Sequence, residues 1–110
     1  MDMKDKYAIV GIGYTPQGRL PGRTSLSFHI EACANAIADA GLKKEDIDGL
    51  ICYRAFPPAS NEASVTPYQV AQQLGMAPDY MYQDANCSRS HLQNAMGALD
   101  AGLCRYVLLS

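Results

Sequence analysis

Gly41-Leu-Lys-Lys-Glu-Asp-Ile-Asp-Gly-Leu-Ile-Cys-Tyr53 is the stretch that decides the fold. Glycine at 41 suits the left-handed cap of a preceding helix, with Leu42 folding back on it. Asp46 and Asp48 flank a turn. Gly49 to Tyr53 is then an uninterrupted apolar run, as in a strand covered on both faces. Upstream, Thr24 or Ser25 can cap a helix start. Leu26, Ile30, Cys33, Ile37 and Ala40 recur at steps of three and four and form one apolar stripe. A helix followed by a buried strand is half of a βαβ unit.

The same alternation runs through the rest of the chain. Tyr7 to Gly11 reads as a first strand, and Gly13 to Arg23 as a glycine- and proline-rich loop. Arg54 to Ser64 is a second loop. Thr66-Pro67 combines an N-cap with proline at the first helical position. Val70 and Leu74 carry a short helix that Gly75 ends. Tyr80 to Gln83 is a third strand. Ser88 to Ala101 is a third helix with Leu92, Ala95, Met96 and Leu99 inward, closed by Gly102. Tyr106 to Leu109 is a fourth strand. The order β-α-β-α-β-α-β predicts an α/β fold with a mostly parallel sheet and helices on both faces. Ile9, Val10, Leu50, Ile51, Val107 and Leu108 are expected to be buried. The last strand is too apolar for a free edge, so the sheet reads as incomplete. The chain is expected to be a fragment or to pair with another chain.

Composition narrows the function. The chain has 110 residues, 48% hydrophobic and 18% charged, with a formal net charge of -2. That excludes a disordered tail and a basic nucleic-acid binder. No apolar run approaches the ~20 residues of a membrane span. The charged N-terminus lacks a signal-peptide core, which predicts a cytoplasmic protein.

The four cysteines, at 33, 52, 87 and 104, have neither Cys-x-x-Cys nor zinc spacing, and no metal site is expected. Cys33, Cys52 and Cys104 lie in apolar stretches and read as buried thiols. Cys87 instead stands between a strand and a helix start. There the helix dipole and unpaired backbone N–H groups favour a thiolate and can hold an oxyanion, so it is the candidate nucleophile, against the plainer reading of a structural thiol. His91, four residues on, can share its helix face; a base role competes with a packing role. His29 reads as a helix-surface or half-buried group. Arg19 and Arg23 could meet a phosphate or stay solvated. Gly11-Ile-Gly13 lacks the third glycine of a dinucleotide fingerprint, because Pro16 stands in its place, and no acidic residue ends the second strand.

Taken together, these residues are similar to the opening of thiolases. Thr15-Pro-Gln-Gly-Arg-Leu-Pro-Gly22 after the first strand resembles their first loop. Ala38-Asp-Ala-Gly-Leu42 with Asp46-Ile-Asp-Gly-Leu50 resembles their first helix and second strand. Ala95 through Gly102 with Tyr106-Val-Leu-Leu109 resembles the helix behind the nucleophile and the next strand. The resemblance spans nearly all 110 residues. It is closest to the branch of sterol carrier protein thiolases and lipid-transfer proteins.

The resemblance implies that residues 1–110 are the N-terminal part of a thiolase-like domain. It implies an acyl-CoA-processing enzyme that transfers an acyl group, or cleaves or forms a carbon–carbon bond next to the thioester. The alternative is a non-catalytic lipid- or acyl-CoA-binding scaffold that needs a partner chain. Coenzyme A would enter as part of the substrate, with no separate cofactor. A homodimer is implied, through the strand at Tyr80 to Gln83, with an OB-fold partner subunit a further option. Cys87 matches the family's nucleophile, while the base and second cysteine belong to a later half, so the segment alone is expected to be inactive. Two departures stand out. The family carries Cys-Ser-x-Gly, whereas this chain has Cys87-Ser-Arg-Ser90. Counting back from Gly102, the helix is about two residues short, which sets Ala85 at the nucleophile's place.

Overall fold

The computed structural model describes residues 3–53, 65–84 and 88–110. The expected loop Arg54 to Ser64 lies outside the described residues. In chain order the elements are α1 (Ser25–Ala40), a 3-10 turn (Lys44–Asp46), β1 (Gly49–Tyr53), α2 (Pro67–Leu74), β2 (Tyr80–Asp84), α3 (Ser88–Asp100) and β3 (Val107–Leu109).

The helix ends follow the capping chemistry. Thr24 accepts a hydrogen bond from the Ser27 amide, and the Ser27 hydroxyl reaches back to Thr24, which closes a capping box. Thr66 and Gln69 repeat the arrangement in front of Pro67. Gly41 and Gly75 both adopt φ 70° and terminate α1 and α2. After Gly41, the Leu42 amide donates to the Ile37 carbonyl at 3.2 Å.

All three strands are parallel, in the order β2-β1-β3. Gly49 pairs with Tyr80 on one side and Val107 on the other. Alternation divides the sheet into two faces. Leu50, Cys52 and Leu108 join Cys33 and Ile37 of α1 and Val70 and Ala71 of α2 in the main core. Ile51 and Tyr53 point to the opposite face, where α3 lies against all three strands. Leu50, Ile51 and Val70 are fully buried. Each contributes on the order of 1.5–3 kcal/mol of transfer free energy.

Asp48 stands just before β1 and clamps the two ends of the β1–β3 pair. Its Oδ1 accepts from the Arg105 and Tyr106 amides, both at 2.8 Å, and its Oδ2 from the Arg105 amide at 2.9 Å. These bonds hold the chain entering β3 beside the chain entering β1.

Two expectations are corrected. Tyr7 to Gly11 is not a strand: Ile9 and Val10 are 71% and 59% exposed. β1 already has a neighbour on each edge, so the run has no place beside it. It lies instead along α1. A Cβ on Gly13 would stand 2.2 Å from the Ala32 carbonyl oxygen and 2.3 Å from the Ala36 nitrogen, and one on Gly11 would stand 2.6 Å from the Ala36 carbonyl oxygen. Only glycine permits that approach. The Ile12 amide donates to Asp39 at 2.8 Å and the Asn35 side chain to the Tyr14 carbonyl at 3.1 Å. Further back, the Tyr7 hydroxyl and Lys6 ammonium hold Asp100, at the end of α3.

The second correction concerns α3. Leu92 is exposed, and the buried positions are His91, Ala95 and Ala98. The inward stripe is turned by about one residue, or roughly 100°. The side chains facing the sheet are therefore small or polar.

Candidate active-site edge of the sheet

In an open parallel α/β sheet, ligands bind outside the carboxyl ends of the strands. Here that edge is formed by Tyr53 after β1, Asp84 after β2 and Ser110 after β3. Ser110 extends the ladder: its amide donates to the Ile51 carbonyl at 2.9 Å, and its carbonyl accepts from the Tyr53 amide. Two polar groupings flank the edge, one on each face of the sheet.

On the α1 face, the His29 Nδ1 meets the Ser110 hydroxyl. Burial holds the imidazole below its ordinary pKa, so neutral His29 is favoured. Cys33 and Cys52 sit beside this pair. Burial raises the Cys33 pKa, against a smaller opposing effect of its hydrogen bond with Ser110. Burial and the neighbouring Cys33 push Cys52 up to about 12. Cys104, buried near Gly49, is raised by burial and by the charge of Asp48. All three stay protonated near neutrality and are poor nucleophiles.

On the α3 face, the Tyr53 and His91 rings meet edge-on with centroids 5.9 Å apart. Asp84 is 3% exposed, and one carboxylate oxygen accepts from the Asn94 amide at 3.0 Å. His91 is 7% exposed, and its Nε2 has no hydrogen-bond partner. The turn of α3 that brings Asn94 to Asp84 also brings His91 to Tyr53, because positions three apart share a helix face.

The sequence placed Cys87 at this edge, between β2 and α3, but Cys87 lies outside the described residues, as does Ala85. Arg23 is not a free phosphate contact. Its guanidinium pairs with Glu31 at 2.6 Å, bonds the Ser27 hydroxyl at 3.0 Å and covers the Phe28 ring at 4.5 Å. Gly11 and Gly13 serve the contact with α1. A hollow of about 360 Å³ lies at the opposite edge of the sheet, among Glu45, Asp46, Asp48 and Arg105. Its lining sets three carboxylates against one guanidinium. Sequence reasoning missed the Asp84–Asn94 pair and the joining of His29 to Ser110. The 91-95-98 spacing was the available signal for the inward face of α3.

Among the described residues, no helix is long and apolar enough to cross a membrane, and no three His, Cys, Asp or Glu side chains are grouped to hold a metal.

A three-stranded parallel sheet with helices on both faces, in this connection order, is a segment of the thiolase-like fold. No family model matches the chain. Its structural neighbours are thiolase-like proteins, in agreement with the sequence resemblance. It superposes on an Ltp2–ChsH2(DUF35) aldolase with a TM-score of 0.76 and 29% identity, covering 93% of this chain and 26% of that one. A monomeric SCP2-thiolase-like protein type 1 from Mycobacterium smegmatis matches with a TM-score of 0.70 and 24% identity, over 92% of this chain and 22% of that one. Among curated proteins, a steroid side-chain-cleaving aldolase of Thermomonospora curvata is 48% identical over 48 residues, 44% of this chain and 12% of the relative. A 17-hydroxy-3-oxo-4-pregnene-20-carboxyl-CoA lyase of Mycobacterium tuberculosis is 48% identical over 46 residues, 42% of this chain and 12% of the relative. The chain thus matches about an eighth of the length of these two relatives.

Proposed function

We propose that this chain is the N-terminal part of a thiolase-like enzyme that acts on acyl-CoA and breaks or forms a carbon–carbon bond next to the thioester. The observation that carries the reading is the 48% identity to the steroid side-chain-cleaving aldolase, on a chain whose fold is thiolase-like. Its similarity to the CoA lyase points the same way. Between the two chemistries, aldol-type cleavage is favoured over acyl transfer. Burial raises the pKa of the three described thiols, which leaves Cys87 as the candidate nucleophile among the cysteines of this chain. Its sequence departs from the thiolase pattern at Arg89 and Ser90. Aldol-type cleavage needs a proton taken from a hydroxyl and an oxygen stabilised near the thioester, and no thiolate.

Coenzyme A enters as part of the substrate, and no other cofactor is required. Among the described residues β2 lies at the edge of the sheet, and Tyr80 to Gln83 would pair with a second copy there. A partner subunit, as the name of the Ltp2–ChsH2 aldolase indicates for that protein, would complete the assembly. The test is turnover of a β-hydroxyacyl-CoA by the assembled enzyme, with intact-mass analysis for an acyl adduct. Cleavage without an adduct, unchanged in Cys87→Ala, supports the aldolase reading. An acyl adduct on Cys87, lost together with turnover in Cys87→Ala, establishes acyl transfer instead. Absence of any acyl-CoA binding or turnover refutes both.

A further inference from the structure

We infer that His91 binds substrate at the carboxyl edge of the sheet, donating its Nε2–H to an oxygen of the acyl group. The inference rests on the acyl-CoA reading above. His91 is 7% exposed, and its Nε2 is buried at the sheet edge without a hydrogen-bond partner among the described residues. Buried imidazoles are ordinarily hydrogen-bonded, and an orphaned nitrogen in a well-packed edge calls for a partner.

The neighbours do not supply one. Asp84, the buried acid of this edge, accepts from Asn94 at 3.0 Å. The Tyr53 ring meets the imidazole edge-on and fixes its plane without taking the Nε2 proton. Ala95 and Ala98, next along the same face, are small and apolar. On its α3 face, the edge therefore holds one matched polar pair, Asp84 with Asn94, and one imidazole left unmatched among the described residues. An acyl group supplies what is missing: a carbonyl or hydroxyl oxygen that accepts one N–H. No bond is made or broken in this role.

The test compares two ligands in the assembled enzyme: an acyl-CoA ketone analogue, with methylene in place of the thioester sulfur, and an alkyl-CoA thioether lacking the carbonyl oxygen. His91→Phe is expected to weaken the ketone analogue about tenfold and the thioether less than twofold, since one neutral hydrogen bond is lost from one complex only. His91→Gln, which retains an N–H, is expected to recover part of the loss. A shift of the His91 15Nε2 resonance on adding the ketone analogue, absent with the thioether, reports the bond in the unmutated enzyme. Equal affinities in wild type and His91→Phe, or a resonance unmoved by the ketone analogue, overturn the role of His91 alone. If wild type binds neither analogue, the acyl-CoA reading falls and takes this one with it. If His91→Phe fails to fold, His91→Gln and the resonance decide.

Discussion

Asp48 provides the most direct check on how the sheet is assembled. Its carboxylate accepts from two backbone amides, Arg105 and Tyr106, through three contacts of 2.8–2.9 Å. Those amides have no other partner at the mouth of β3 among the described residues. Hydrogen bonds to a charged acceptor are worth about 1.5–3 kcal/mol each when buried. Asp48 is only half-buried, so each donor counts for about 1–1.5 kcal/mol, at or just below that range, and two come to about 2–3 kcal/mol. Asp48→Ala should lower stability by that amount. Asp48→Asn keeps one carbonyl oxygen for one donor and should cost about 1 kcal/mol. With a urea slope of about 1.5 kcal/mol per M, the midpoint falls by about 1.5–2 M for alanine and about 0.7 M for asparagine. Hydrogen exchange should quicken first at the Arg105 and Tyr106 amides. If both variants lie within 0.5 kcal/mol of wild type, or if asparagine costs as much as alanine, the clamp does not hold β3 in place.

Three further outcomes follow from the packing. Gly13→Ala drives a Cβ into the backbone of α1 and should cost about 1–3 kcal/mol, while Gly97→Ala, with open space around it inside α3, should gain about 0.5–1 kcal/mol; urea midpoints of the two variants decide. His29 is held neutral by burial, so its folded pKa lies below the unfolded 6.5; stability is present above pH 6.5 and lost as pH falls through the folded value. His29→Gln should flatten that acid limb in denaturation at pH 5 to 8, and a limb of unchanged slope would rule the cause out. The Cys52 thiol is raised from 9.0 to about 12, so its contribution is complete below pH 9 and lost as pH rises toward 12; the folded protein should resist iodoacetamide at Cys52 at pH 8, and rapid labelling there would contradict its burial.

Much of this protein is written locally. Thr24, Thr66 and Pro67 start helices because they satisfy or dispense with orphan amides, and Gly41 and Gly75 end them because they adopt the left-handed cap without strain. The unbroken apolar run of β1 demanded cover on both faces, and the alternation of helices and strands demanded a parallel sheet. Those interactions span a few residues, so pattern alone reveals them. The thiolase-like resemblance was legible for the same reason, being an order of local elements.

Which strand neighbours which is a long-range competition. Tyr7 to Gly11 has the composition of a central strand, but β2 and β3 take both edges of β1, so the run lies on α1 through Gly11 and Gly13. The inward face of α3 was also decided in three dimensions. Leu92 is more apolar than His91, yet the rotation that pairs Asn94 with Asp84 buries His91 and exposes Leu92. Periodicity fixes the spacing of a helix face, but only contact with the sheet fixes its rotation, and here that rotation carries a histidine to the carboxyl edge of the sheet.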